Sequence, residues 1–121
     1  MEELATQLVA AADDDIRFRL AIEFLDEFSV TDQQDRSSLL DGRPASVGDP
    51  RWDAMLGALA EHCAFHSRLA CPNWAFEAQR YLSQSWYPTD LPSVRATAVV
   101  HSPAAFRLRG IFIDDSELAS A

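Results

Sequence analysis

At 121 residues and 48% apolar, the chain can close one sizeable core without a disulfide or structural metal, and it is too apolar for a disordered segment. Nineteen acids against ten bases leave a net charge of −9, which repels phosphate backbones; direct nucleic-acid binding is therefore not expected, whereas a basic protein partner is. No apolar run approaches the ~18 residues of a membrane span, and the acidic start is unlike a secretory leader, so a cytoplasmic protein without membrane contact is predicted.

The pattern predicts a short helix over 2–12 with Leu4, Leu8 and Val9 on one face. A second follows over 16–28, capped and charged at its start by Asp13 to Asp15, or the two form one kinked helix. The second carries Ile16, Leu20, Phe24 and Phe28 at four-residue steps, with Phe18, Ile22 and Leu25 on a further stripe, an arc wide enough for contact on two sides. Residues 31–49 turn polar, with Thr31 or Asp32 capping a short helix through Leu40 and Gly42, Pro44 and Gly48 marking a loop. Asp49-Pro50 is the strongest helix start in the chain, and Trp52, Met55, Leu56, Leu59, Cys63, His66 and Leu69 follow at helical spacing. Pro72 stops that helix or opens the next turn, and 73–82 reads as another. Trp86-Tyr87-Pro88 is an aromatic turn, Pro92 opens a helix to about Val100, and Ser102-Pro103 with Gly110 brackets a helix over 102–110. The triplet Ile111-Phe112-Ile113 reads as extended, and Asp114 or Asp115 caps a last turn over 116–119. These elements make an all-α fold, one compact domain over 1–121 built from six or seven short helices.

The residues that offer chemistry are few. His62 and His66 are four apart on one helix, the spacing at which two imidazoles share a metal, with Cys63 and Cys71 nearby. The order Glu61-His62-x-x-x-His66 is not the zincin pattern, where the glutamate lies inside the histidine pair. The plainer reading puts Cys63 and His66 on the apolar face and His62 in solvent. There is no nucleophile elbow and no phosphate-cradling glycine loop, and no cofactor is expected. Glu23, Asp26 and Glu27 form an acidic helix face. Trp86, Tyr87, Phe106 and Arg107 are aromatic and arginine residues of the kind enriched as interface anchors. The plainer readings are that the aromatics lock loops to the core and that Arg107 and Arg109 pair with Asp114 and Asp115.

From Asp49 onward the chain has a further cadence. Gly48-Asp49-Pro50-Arg51-Trp52-Asp53-Ala54, Leu59-Ala60-Glu61-His62, Trp74, Trp86-Tyr87-Pro88, and Ser102-Pro103-Ala104-Ala105-Phe106-Arg107 through Arg109-Gly110-Ile111-Phe112-Ile113 together resemble the C-terminal segment of actinobacterial Xre-type regulators. A lysine-free, arginine- and alanine-rich composition suits such a GC-rich background. Those regulators are encoded beside nucleotidyltransferase-like proteins, in an arrangement similar to a toxin–antitoxin pair. The resemblance covers roughly the last 70 residues and contains no catalytic motif. No helix-turn-helix is evident before it, so the resemblance implies partner binding and not DNA binding.

The leading expectation is a non-catalytic, antitoxin-like regulatory protein that restrains a basic partner enzyme, with Glu23, Asp26, Glu27, Trp86, Tyr87, Phe106 and Arg107 in the contact. A small metal- or thiol-dependent enzyme using His62, His66, Cys63 and Cys71 is the alternative. A self-associating structural domain, pairing through the wide apolar helix over 16–28 as a homo-oligomer, is the third.

Overall fold

The structure, a computed structural model, describes residues 1–89 and 91–118. The fold is all-α, with helices α1 (Glu2–Ala10), α2 (Asp14–Val30), α3 (Gln33–Asp41), α4 (Pro50–His66), α5 (Pro92–His101) and α6 (Ala104–Arg107). Three 3-10 turns, Asn73–Phe76, Ala78–Arg80 and Asp115–Leu118, complete it. Among the described residues no helix is long and apolar enough to cross a membrane.

Helix α4 is the axis. Trp52 through Ala60 are buried without interruption, so the helix is enclosed on all sides, by α2, α3, α6 and the first two 3-10 turns. Its start is as expected: the Asp49 carboxylate accepts from Arg51 N at 3.0 Å, and Pro50 occupies the first turn, where a missing N–H costs nothing. Its end is not set by Pro72. The chain turns at Arg68, which takes the left-handed conformation (φ 57°), while Leu69 N–H bonds the Ala64 carbonyl and Arg68 N–H that of Phe65. This is a Schellman closure with arginine where glycine is usual.

Helices α1 and α2 are separate, because Asp13 is extended and its carboxylate accepts from Ile16 N at 2.9 Å. Leu4 and Leu8 of α1 are buried, while Val9 faces out. The wide arc of α2 meets α1 on one side and α4 on the other. Between α2 and α3, Asp32 holds the cap position without a side-chain cap bond; Thr31 Oγ1 instead returns to the Glu27 carbonyl, and Arg36 clasps the carbonyls of Thr31 and Ser29. The N-termini of α2 and α4 are joined by one polar cluster. Asp14 accepts from Trp52 Nε1 (3.0 Å), Arg17 Nη1 (3.1 Å) and Arg51 Nη2 (3.0 Å), and Arg51 also grips Asp49 at 2.9 Å. Burial pushes the Asp14 carboxyl up, but these donors outweigh it and hold it below its ordinary value.

Two expected helices are corrected. Residues 73–82 form two 3-10 turns rather than one helix: both Trp74, with Nε1 on the Leu40 carbonyl of α3, and Arg80, on the Asp53 carbonyl of α4, are buried, at a spacing that no single helical face provides. The helix expected over 102–110 is the single turn Ala104–Arg107. Ser102 does not cap it: its buried hydroxyl donates its one proton to the Ala98 carbonyl oxygen at 2.6 Å, lies 3.0 Å from that of Ile113, and accepts from Ile113 N–H. Gly110 closes the turn as expected, at φ +82°, with Ile111 N–H on the Phe106 carbonyl. Ile111 is extended and bridges Trp86 in parallel. The expected last turn begins as Asp115–Leu118, and its end at 119 lies outside the described residues.

Arginine also builds the core. Arg80 and Arg109 are 1% and 0% exposed and flank Gly57 of α4, where an added Cβ would come within 2.9 Å of Arg80 Cβ and 3.0 Å of Arg109 Nε. Arg80 donates to the Asp53 and Pro44 carbonyls, and Arg109 to those of Ala105 and Ala75 and to the Glu61 carboxylate. The Asp53 carboxylate in turn accepts from Ser46 Oγ and Val47 N, pinning the 42–49 loop onto α4.

Candidate functional site

Charge is divided unevenly along the chain. Residues 1–49 hold twelve acids against four arginines, and residues 50–121 hold seven against six. The negative charge therefore belongs to α1–α3 and their connections. Asp14 and Asp49 are tied into the polar cluster, whereas Glu3, Glu23 and Glu27 gather on a cleft of about 120 Å³ between α1 and α2, floored by Leu4, Leu20, Phe24 and Leu39. Glu23 and Glu27 are exposed and Asp26 is half-exposed, so the acidic face expected of α2 stands on the surface. The Met1 ammonium also lines this cleft and donates to the Leu39 carbonyl at 2.7 Å. Burial lowers its pKa, against the opposing pull of Glu2, Glu3 and Glu27.

A larger groove, about 440 Å³, lies between the C-terminal half of α4 and the α5–α6 corner. All three histidines of the chain line it, His62 and His66 from α4 and His101 from the end of α5. Its apolar lining includes Phe65, 77% exposed, and Leu108, 69% exposed. The His62 ring sits edge-on to His66 at 4.4 Å and to Phe106 at 5.4 Å. Burial, helped by the neighbouring His66, lowers its pKa to about 4, so it is neutral at pH 7. This reverses the expected orientation, since His66 is the exposed imidazole and His62 the half-buried one.

The aromatic and arginine anchors fare differently. Trp86 is half-buried, edge-on to Trp52 at 5.1 Å and beneath the Arg51 guanidinium at 5.1 Å. Tyr87 is also half-buried, stacked on Phe112 at 5.4 Å with Arg95 over its ring at 4.3 Å. Both lock the 81–89 loop to the body while keeping an exposed edge. Phe106 is 0% exposed, so the expectation of a surface anchor there is corrected: its side chain fills the space between α4 and α6. Arg107 is exposed, but its guanidinium donates to the Val100 and Ser102 carbonyls and joins α5 to α6. The expected pairing of Arg107 and Arg109 with Asp114 and Asp115 is replaced by these carbonyls and by Glu61.

Burial outweighs the arginine that acts on each thiol, Arg36 at Cys63 and Arg109 at Cys71. Cys63 is buried and its pKa is pushed up to about 12 by that burial, with Arg36 pulling weakly the other way. Cys71 is half-buried and raised by burial and by Glu61. Both are thus held as thiols, the unreactive form. Among the described residues no three of the His, Cys, Asp and Glu side chains are placed to hold one metal ion.

The groove and its third histidine had no signal in the sequence, because His101 lies 35 residues beyond His66 and reaches it only through the α5–α6 turn. No family model matches the chain, and no match was found among curated proteins or solved structures.

Proposed function

We propose that the protein is a non-catalytic, antitoxin-like binding module that restrains a basic partner enzyme, of nucleotidyltransferase type, by direct contact. The observation that carries this reading is the excess of carboxylate over residues 1–49, with exposed Glu3, Glu23 and Glu27 around one cleft that no arginine lines. Such a surface steers a positively charged protein into encounter and fixes its orientation. The protonated thiols and the resemblance of the segment from Asp49 onward support a binding role over a thiol enzyme. The partner's enzyme type rests on that resemblance.

Capture of a tagged copy from its native host, at low and moderate salt, tests the reading. The expected result is a stoichiometric basic protein whose association slows by about 5–10-fold in the Glu23→Gln/Glu27→Gln variant and weakens as salt rises. Recovery of the protein alone, or a complex indifferent both to salt and to these substitutions, overturns it.

A further inference from the structure

The α4–α6 groove carries a second contact of different chemistry. Two large apolar side chains, Phe65 and Leu108, stand exposed at it, beside Pro103 and Ala104. Exposed apolar surface gathered around a concavity of this kind marks an interaction site more often than a scattered surface residue does. The ionisable lining is two carboxylates, Glu61 and Asp115, beside the three imidazoles, and no arginine contributes a permanent cation. Glu61 is already committed to buried Arg109, which leaves Asp115 as the exposed carboxylate of the groove. The volume, about 440 Å³, falls within the ~300–1,000 Å³ range of ligand-sized pockets.

We propose that this groove receives bulky apolar side chains from an amphipathic helix of the partner, one helical turn apart, with a flanking arginine or lysine on Asp115. The proposal rests on the binding-module reading above and names what that module grips. A helix in a groove presents its anchors at i and i+4, and a cation beside them meets the groove's exposed carboxylate, Asp115. A second copy of this chain is the poorer occupant, because each copy brings its own net charge of −9.

The probe is a pair of blocked peptides of about three helical turns, each with two leucines at i and i+4, one flanked by arginines and the other by glutamates. Nuclear magnetic resonance of the three histidine rings reads the groove directly. Saturable shifts of His62, His66 and His101 are expected with the arginine peptide, at about tenfold or greater preference over the glutamate peptide. Ala104→Trp, at an exposed position, fills the groove and is expected to weaken binding about tenfold or more, and Leu108→Asp, also exposed, to do the same by a different route. Asp115→Asn is expected to erase most of the preference for arginine.

Equal binding of both peptides, no histidine shift with either, or the same shifts on concentrating the protein alone (a second copy as occupant) overturns the proposal. Glu23 and Glu27 are untouched in these variants. A partner complex that keeps its salt dependence while the peptides ignore the groove therefore refutes the groove alone. Peptide binding without any salt-sensitive partner refutes the charge reading alone.

Discussion

Arg109→Met isolates the part of the core built from charge. The guanidinium is 0% exposed and donates to Ala75 O at 2.7 Å, to Ala105 O at 2.8 Å and to the Glu61 carboxylate, with Tyr81 stacked 4.8 Å away. Methionine keeps an apolar stem of similar length and removes all three donors. Two buried carbonyls then lose that partner at about 1–3 kcal/mol each. Glu61 recovers part of its hydration, since its side chain is 25% exposed. One term runs the other way: Arg109 Nε is buried without a partner, and its loss is a relief. The net expected loss is about 3–5 kcal/mol, the range for breaking a buried pair from one side. With a urea dependence of about 2 kcal/mol per molar, the midpoint falls by roughly 2 M. Fluorescence of buried Trp52 and Trp74 during urea titration reads it. A loss below about 1 kcal/mol refutes the reasoning and places Arg109 among the buried pairs that contribute nothing net. Adding Glu61→Gln to Arg109→Met is expected to recover part of the loss, because the stranded charge goes with it.

Two smaller perturbations follow from backbone and protonation. Arg68→Gly relieves a left-handed arginine (φ 57°) at the end of α4; after the greater unfolded-state freedom of glycine, a gain of about 0.5–1 kcal/mol in urea stability is expected, and a loss refutes the strain assignment. His62, with its folded pKa lowered to about 4, leaves the unfolded chain binding more protons between pH 6.5 and 4, so its contribution is complete above pH 6.5 and is lost as pH falls through that window. With discount for its exposed edge the loss is on the order of 1–2 kcal/mol; urea midpoints at pH 7.5 and 5 should differ less in His62→Gln, and an unchanged difference assigns the pH dependence elsewhere.

Signals that act within a few residues were legible in the sequence. Asp49-Pro50 opens α4, Asp13 caps α2, Gly110 closes α6, and the four-residue steps of α2 bury Phe24 and Phe28. What escaped was set by contacts distant in sequence. Residues 73–82 carry a helical apolar pattern, yet Arg80 has to reach the Asp53 and Pro44 carbonyls beside Gly57, and two 3-10 turns are the path that takes it there. Ser102 precedes a proline, as a cap does, but its hydroxyl is taken by Ala98 and Ile113. Phe106 beside two arginines read as a surface anchor. The helical turn directs it inward instead, and both arginines find carbonyl or carboxylate partners within the chain. Of the expected contact residues, Glu23, Asp26 and Glu27 were legible as a face because helix periodicity alone places them, whereas the histidine groove depends on a turn that no local pattern encodes.

The acidic cleft and the apolar groove are linked through α2 and α4. His62 and His66 form a ridge on α4, and on its far side lies a further groove of about 310 Å³ lined by Leu25 and Phe28 of α2 and Arg36 of α3. Moving from the α4–α6 groove over this ridge reaches α2, whose Glu23 and Glu27 border the acidic cleft. A protein partner buries roughly 800 Å² on each side, so one partner spans several helices of a domain this small. In the proposed complex the two surfaces would divide the work kinetically. Carboxylates on α2 would act at a distance and set how fast a basic partner arrives, whereas Phe65 and Leu108 would act only in contact and set how long it stays. Charge-removing substitutions on α2 should therefore change association rates and their salt dependence, while groove-filling substitutions on α6 should change dissociation at every salt concentration.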